Sequence, residues 1–238
     1  MAQPCRFIYF DAGFTLLHPH PSAGFHYAAI ASKYHVHIPA AQIDAAFVGA
    51  WKAARNAVAP HKTTGAPVYG STRAEALAFW TRVICLCFRD QAPDDPQFYE
   101  DLFDHFAKPE CWRLYNDVPP ALALLEERGI PFGVISNWDS RLRPLLDGLG
   151  ILPKLSALIL SSEAGYEKPH PNIYHTATNA VPEPLRNAIG LIGDEPEADG
   201  TAPLAAGWQQ CLIQRSAKPT PAGLRTMPDL PAAVRALT

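Results

Sequence analysis

The run Phe7-Ile8-Tyr9-Phe10-Asp11-Ala12-Gly13-Phe14-Thr15-Leu16 limits the fold more than any other part of the chain. It reads as a short buried strand that ends on a carboxylate and then turns. An aspartate at the carboxyl end of a strand in an open α/β sheet faces the crevice where such sheets bind ligands. A carboxylate placed there serves as a nucleophile or as a metal ligand. The arrangement recurs further on. Ser136 follows an apolar run, Lys168 precedes a proline, and Asp194 and Asp199 follow another apolar run.

From residue 108 onward, helical spacing alternates with short apolar runs. Helix 119–128 precedes strand 132–136, helix 140–149 precedes strand 155–160, helix 171–180 precedes strand 188–192, and helix 199–206 precedes strand 209–213. Strands alternating with helices of this length predict βαβ units and a parallel sheet. The strand at 6–10 then belongs to that sheet, which makes the fold class α/β, a doubly wound, Rossmann-like parallel sheet. Between them, residues 22–107 show no strand pattern. Apolar residues recur at helical spacing over 24–34, 41–58, 73–88 and 97–106, separated by proline-containing breaks. Ser71 or Thr72 is expected to cap the third of these helices with Glu75 in its first turn, and Asp94 or Asp95 to cap the fourth. The organisation read from the chain is therefore a core of residues 1–17 and 108–238 with a four-helix cap, 18–107, inserted into it. The proline-rich end closes on a short helix at 230–237.

Composition excludes several other classes. The 238 residues are 48% hydrophobic, enough for a sizeable core, and Lys+Arg 20 against Asp+Glu 23 gives a net charge of -3 with no basic stripe, which argues against a nucleic-acid partner. Arg141 and Arg143 read as local charges on a helix surface. No apolar run approaches the ~20 residues that span a bilayer, so no membrane partner is expected. No basic segment followed by an apolar stretch precedes the first strand, which points to the cytoplasm. The 5 cysteines are odd in number and include no CxxC pair. They read as buried free thiols in a reducing compartment rather than as a metal or redox site.

Four segments carry a resemblance. Asp11-Ala-Gly-Phe-Thr15-Leu, Ile135-Ser136-Asn137, Glu167-Lys168-Pro169-His-Pro171 and Gly193-Asp194-x4-Asp199 resemble, in order and spacing, the four motifs of the haloacid dehalogenase (HAD) superfamily. The helical insertion after the first motif resembles the C1-type cap of its subfamily I. Ser136-Asn-Trp-Asp139-Ser-Arg-Leu and Glu163-Ala-Gly165-Tyr-Glu-Lys168-Pro are similar to its REG-2-like branch, with the HDHD3-type proteins. The resemblance implies a Mg²⁺-dependent phosphatase of a small phosphorylated metabolite. Asp11 would attack phosphorus and carry an aspartyl-phosphate, which divides one hard hydrolysis into two easier steps. Thr15 and Ser136 would hydrogen-bond the phosphoryl oxygens, with Asn137 next to Ser136 where backbone N–H groups form an anion nest. Lys168 would neutralise nucleophile and phosphoryl group. Asp194 would hold Mg²⁺ together with Asp11 and the carbonyl of Gly13, and Asp199 would hold Lys168 or the water around the metal.

One departure from the family pattern matters more than these matches. The family's phosphatases place a second aspartate two residues after the nucleophile, where it protonates the leaving group; this chain has Gly13. General acid–base help is worth roughly 10²–10⁴-fold in rate. Three readings follow. His18, His20 or Glu195 supplies the proton. Alternatively the reaction is C–halogen or C–P cleavage, since the family's dehalogenases and phosphonatases also lack this aspartate; the dehalogenases, however, need no metal and typically carry tyrosine where Gly13 stands. In the third reading the chain is a catalytically weak phosphate-binding interaction protein. In the cap, the irregular polar loop 59–71, with His61, Lys62 and Tyr69, is the candidate for substrate contact.

Overall fold

The computed structural model describes residues 3–58, 64–215 and 222–238. The predicted contacts of His61 and Lys62 lie outside these residues. The sheet is built around β1, Phe7–Phe10, whose four residues are all buried. Burial on both faces explains why its sequence is continuously apolar rather than alternating. Around it stand β4 (Phe132–Ser136), β5 (Ala157–Leu160), β6 (Ile189–Gly193), β7 (Gln209–Ile213) and β8 (Thr226–Met227), in the order β5-β4-β1-β6-β7-β8. Every pairing in this sheet is parallel.

The register sets the site. Phe10 pairs with Val134 of β4 on one side and with Ile192 of β6 on the other. Asp11, Ser136 and Asp194 therefore emerge together at the carboxyl edge, where strand order turns from β4 to β6 on either side of β1, the place such sheets bind ligands. Helices α5 (Val118–Glu127), α6 (Leu142–Gly148), the single turn α7 (Ser161–Ala164), α8 (Pro171–Ala180), α9 (Ala202–Ala205) and α10 (Leu230–Leu237) complete the core. One apolar cluster, with Phe10, Val134, Leu146 and Val234, lies on one face of the sheet; a second, with Tyr9, Ile135, Tyr174 and Trp208, lies on the other.

The helices between residues 22 and 106 include α1 (Ala23–Lys33), α2 (Ala40–Ala57), α3 (Arg73–Phe88) and α4 (Pro96–His105). They enclose an apolar cluster of their own, including Tyr27, Ile43, Phe79, Ile84 and Phe98. Thr72 caps α3 in a reciprocal box, its hydroxyl accepting from the Glu75 N–H while the Glu75 carboxylate accepts from the Thr72 N–H. Asp95 caps α4. The chain leaves the core and returns to it through a two-stranded antiparallel ribbon, β2 (Leu17–Pro19) with β3 (Trp112–Leu114). Sequence patterning does not anticipate this ribbon, because three residues are too few to show a period of two. Among the described residues, no helix is long and apolar enough to cross a membrane.

Candidate active site

Lys168 organises the site. Its side chain is 2% exposed, and its Nζ lies 2.9 Å from Asp11 Oδ1 and 2.6 Å from Asp199 Oδ1. Burial opposes the ammonium charge, but the Asp11 and Asp199 carboxylates outweigh it and hold the lysine pKa above its usual value. The loop that carries Lys168 is fixed from both sides by Asn137: Asn137 Nδ2 donates to the Lys168 carbonyl at 2.8 Å, and the Lys168 N–H donates to Asn137 Oδ1 at 2.7 Å. Asn137 is thus a positioning residue for the lysine.

Asp11 is 8% exposed. Its Oδ1 accepts from Ser136 Oγ at 3.1 Å as well as from Lys168. Among the described residues, no protein group hydrogen-bonds Asp11 Oδ2. Burial pushes the carboxyl up to about 6, against the opposing pull of Lys168. Thr15, expected to face a phosphoryl group, is instead fully buried and donates to Asp194 Oδ1 at 3.1 Å, so it positions that carboxylate. Burial, followed by the charges of Asp11, Asp199 and Glu195, pushes Asp194 up to about 8.

Asp199 sits on a π-helical turn, Pro196–Thr201, a feature concentrated at functional sites. Its Oδ2 accepts the N–H groups of Asp194 and Glu195 while its Oδ1 holds Lys168. This fold-back needs Gly193, because a Cβ there would stand 2.3 Å from the Asp199 carboxylate.

The charge balance bears on a metal. Oxygens of Asp11, Asp194 and Asp199 lie within 4.8 Å of one another, with Lys168, bonded to Asp11 and Asp199, the one cation so placed among the described residues. Two buried carboxylates, Asp11 and Asp199, and the half-buried Asp194 around one ammonium leave an uncompensated negative charge, and hard carboxylate oxygens suit Mg²⁺. The residues present fit a divalent cation, with Asp11 and Asp194 as the carboxylates that retain an oxygen without a protein partner among the described residues.

Gly13 lines the cleft beside Asp11. A Cβ built on it would lie 3.2 Å from the Trp138 ring. A side chain at this position would therefore press on the indole, which would have to give by a few tenths of an ångström. Neither histidine proposed as a substitute acid lines the cleft. His18 Nδ1 is 3.0 Å from the Pro19 carbonyl and its ring packs on Tyr115, while His20 lies in the hinge beyond it. Glu195 does line the cleft and is exposed.

The cleft runs on as a cavity of about 900 Å³ between core and helical insertion, walled by Phe14, Tyr27, Trp51, Tyr69, Trp80 and Trp138 among others. Tyr69 is buried, accepts from Trp51 Nε1 at 3.2 Å and stacks on Trp80. Polar contacts tie the helical insertion to the loops at the carboxyl edge of the sheet. Arg55 donates to Glu167 at 2.6 Å, and the Val68 N–H donates to the other Glu167 oxygen at 2.9 Å. Trp80 Nε1 donates to Asp139 at 3.3 Å, beside Arg141, which pairs with Asp139 at 2.7 Å and lies 3.7 Å over the Phe103 ring. Arg141 thus links the loop after β4 to α4 rather than being the surface charge expected from sequence; Arg143 is exposed and pairs with Glu163. Sequence reasoning passed over Trp138, Asp139 and Arg141 as site-forming residues, although their signal stood in the Ser136-Asn-Trp-Asp139-Ser-Arg segment itself.

Comparison with known proteins agrees with this geometry. The family model described as "haloacid dehalogenase-like hydrolase" matches residues 8–207, and the chain belongs to that family. It is a hydrolase of the HAD superfamily. Among curated relatives it is 27% identical to "Haloacid dehalogenase-like hydrolase domain-containing protein 3" of Danio rerio, over 97% of this chain and 92% of the relative. It is 26% identical to "Rhythmically expressed gene 2 protein" of Drosophila melanogaster, over 87% of this chain and 82% of the relative. Among solved structures it resembles the putative HAD-hydrolase YfnB from Bacillus subtilis bound to magnesium, with a TM-score of 0.70 and 16% identity over 99% of each chain. That level of identity speaks to the fold.

Proposed function

We propose that the chain is a phosphatase acting through Asp11, with Mg²⁺ as cofactor and a small phosphorylated metabolite as substrate. The observation that carries this reading is the buried lysine bridging Asp11 and Asp199 beside Asp194, at the carboxyl edge of β1 and β6. With Oδ1 of Asp11 held by Lys168 and Ser136, Oδ2 is the oxygen left to attack phosphorus. The bond formed is Asp11 O–P and the bond broken is P–O of the leaving group. Water then cleaves the aspartyl-phosphate and releases phosphate. A bound Mg²⁺ would supply charge neutralisation at the phosphoryl oxygens; Asp11, Asp194 and the Gly13 carbonyl are the groups expected to hold it. The magnesium bound to the similar Bacillus protein supports the cofactor assignment.

Gly13 gives no proton to the leaving group, the Trp138 ring crowds the position beside it, and Glu195, which lines the cleft, is exposed to solvent. Turnover therefore depends on how stable the departing anion is on its own. Phosphate esters of acidic hydroxyls, such as aryl or enol phosphates, and acyl phosphates meet that condition; simple alkyl phosphates do not. The aromatic walls of the cavity suit an unsaturated organic part. Residues 18–107 act as a cap over a core of 1–17 and 108–238, excluding water when closed.

The test is a panel of aryl, acyl and alkyl phosphates, phosphonates and 2-haloacids, each with Mg²⁺ and with chelator, using Asp11→Asn as the blank. The expected result is phosphate release that requires both Mg²⁺ and Asp11 and is fastest for the best leaving groups. Halide release in chelator would overturn it in favour of a dehalogenase. Mg²⁺ binding without release of any product would favour a phosphate-binding interaction protein.

A further inference from the structure

A second cluster of ligating side chains lies at the root of the cap, outside the aspartate site. His26 on α1, His105 at the end of α4 and Cys111 just before β3 place one ligand atom each within 4.8 Å of the others. His26 and Cys111 are buried and His105 is half-buried. The two imidazoles meet nitrogen to nitrogen, His105 Nε2 to His26 Nδ1 at 3.0 Å, with no carboxylate hydrogen-bonded to either ring among the described residues.

The orientation of His26 is set by its other nitrogen, 2.8 Å from the His20 carbonyl. That carbonyl can only accept, so Nε2 carries the proton and Nδ1 presents a lone pair to the cluster. A ring N–H given to a backbone carbonyl while the opposite nitrogen faces inward is how proteins orient metal-binding histidines. The His20 N–H in turn donates to the Cys111 carbonyl at 2.8 Å, which fixes the cysteine backbone against the same segment. In a tetrahedral site with zinc–nitrogen bonds of about 2.0–2.1 Å, the two nitrogens stand about 3.3 Å apart, close to the distance found here.

We propose that His26, His105 and Cys111 form a binding site for a thiophilic divalent cation of the Zn²⁺ class, with the fourth position open to water. Two imidazoles and a thiolate favour such an ion over Mg²⁺, which seeks oxygen. Binding requires Cys111 to lose its thiol proton to solvent and His105 to move its proton to Nδ1. The Cys111 thiol now donates to the His105 carbonyl at 3.2 Å, and burial pushes its pKa up to about 11, so metal uptake releases a proton and favours higher pH. The ion would tie α1 and α4 to the returning hinge strand, fastening the base of the cap where it leaves and re-enters the core. The sequence reading of the cysteines as plain buried thiols missed this site, because its ligands are separated by 79 residues between the two histidines and meet only in the fold.

The test uses the full-length apo protein titrated with Co²⁺, a coloured stand-in for Zn²⁺. The expected result is a thiolate-to-cobalt charge-transfer absorption that saturates near one equivalent and is displaced by Zn²⁺. It should persist in Asp194→Asn, which alters the aspartate cluster, and be lost in Cys111→Ser and in His105→Asn. Far-ultraviolet circular dichroism identifies whichever of these two variants keeps its fold, and the folded one decides. In parallel, Zn²⁺ should raise the melting temperature of the wild type and of Asp194→Asn but not of Cys111→Ser, since a ligand bound only by the folded state stabilises it. Absence of the absorption in the wild type, or its survival in a folded Cys111→Ser or His105→Asn protein, would overturn the proposal.

Discussion

Phe14 is a residue under local constraint. It takes φ 57°, the left-handed region, and its side chain is 57% exposed at the cleft. Arg215 pins the turn by donating to the Phe14 and Thr15 carbonyls while pairing with Asp117. A residue with a Cβ costs about 1–2 kcal/mol in that conformation, and glycine avoids it. Phe14→Gly is expected to stabilise the protein by up to about 1 kcal/mol, once the greater freedom of glycine in the unfolded chain is deducted. It should also raise KM for aromatic substrates by removing part of the cavity wall. Chemical denaturation and steady-state kinetics check the two halves. Gly13 makes the companion prediction. With Trp138 only 3.2 Å from a Cβ at that position, Gly13→Asp alone overpacks the site, costs roughly 1–3 kcal/mol and leaves alkyl phosphates unhydrolysed. Combined with Trp138→Ala, it should gain activity on alkyl phosphates. Equal alkyl phosphatase rates for the single and double variants would refute the steric account. The sequence disclosed that an acid was missing at position 13. It did not disclose what stands against that position, since Trp138 comes from beyond the end of a different strand.

At the scale of elements, Glu167 joins the loop that carries Lys168 to α2 and to the segment before α3. Its carboxylate, 2% exposed, accepts from Arg55 and from the Val68 N–H. Glu167→Gln keeps the shape but removes the charge from the pair, leaving a partly buried Arg55 without its counter-ion. The expected loss is about 1–3 kcal/mol, with KM raised and kcat largely retained because the cap closes less well. A fall in kcat at constant KM would place Glu167 in the chemistry instead. The elements read from sequence with least error were those with clear local signals. The Pro171–Ala180 helix, the Gln209–Ile213 strand and the capped Arg73–Phe88 helix have the expected bounds. The β2–β3 ribbon and β8 were not legible: two or three residues carry no period, and β2 and β3 lie far apart in the chain. The site divides in the same way. Asp11, Ser136, Lys168, Asp194 and Asp199 announced themselves at strand ends and beside prolines. The roles of Thr15 and Asn137 as supports for Asp194 and Lys168 depend on which loops meet, and no spacing rule states that.

For the whole molecule, the aspartate cluster links stability to pH and metal. Asp11 and Asp194 hold protons in the folded state up to about 6 and about 8, whereas in the unfolded chain carboxyls lose them near about 4. Between those values the folded state binds more protons, so the metal-free protein should lose stability as pH rises from about 4 to 8. Mg²⁺ should raise the melting temperature more at pH 8 than at pH 5, and Asp194→Asn should flatten both trends. Differential scanning calorimetry across that range, with and without Mg²⁺, is the check; a pH-independent melting temperature in chelator would count against the charge balance described above. The central claim is that Asp11 carries the phosphoryl group, and trapping of the covalent intermediate tests it most directly. The wild-type protein is mixed with an aryl phosphate and Mg²⁺, quenched in acid within the first turnover, and its intact and peptide masses are measured. The account predicts a phosphoryl adduct on the peptide containing Asp11, absent in Asp11→Asn and absent with chelator. Phosphate release without any such adduct, or an adduct on Asp11 formed only from a 2-haloacid in chelator, would contradict it.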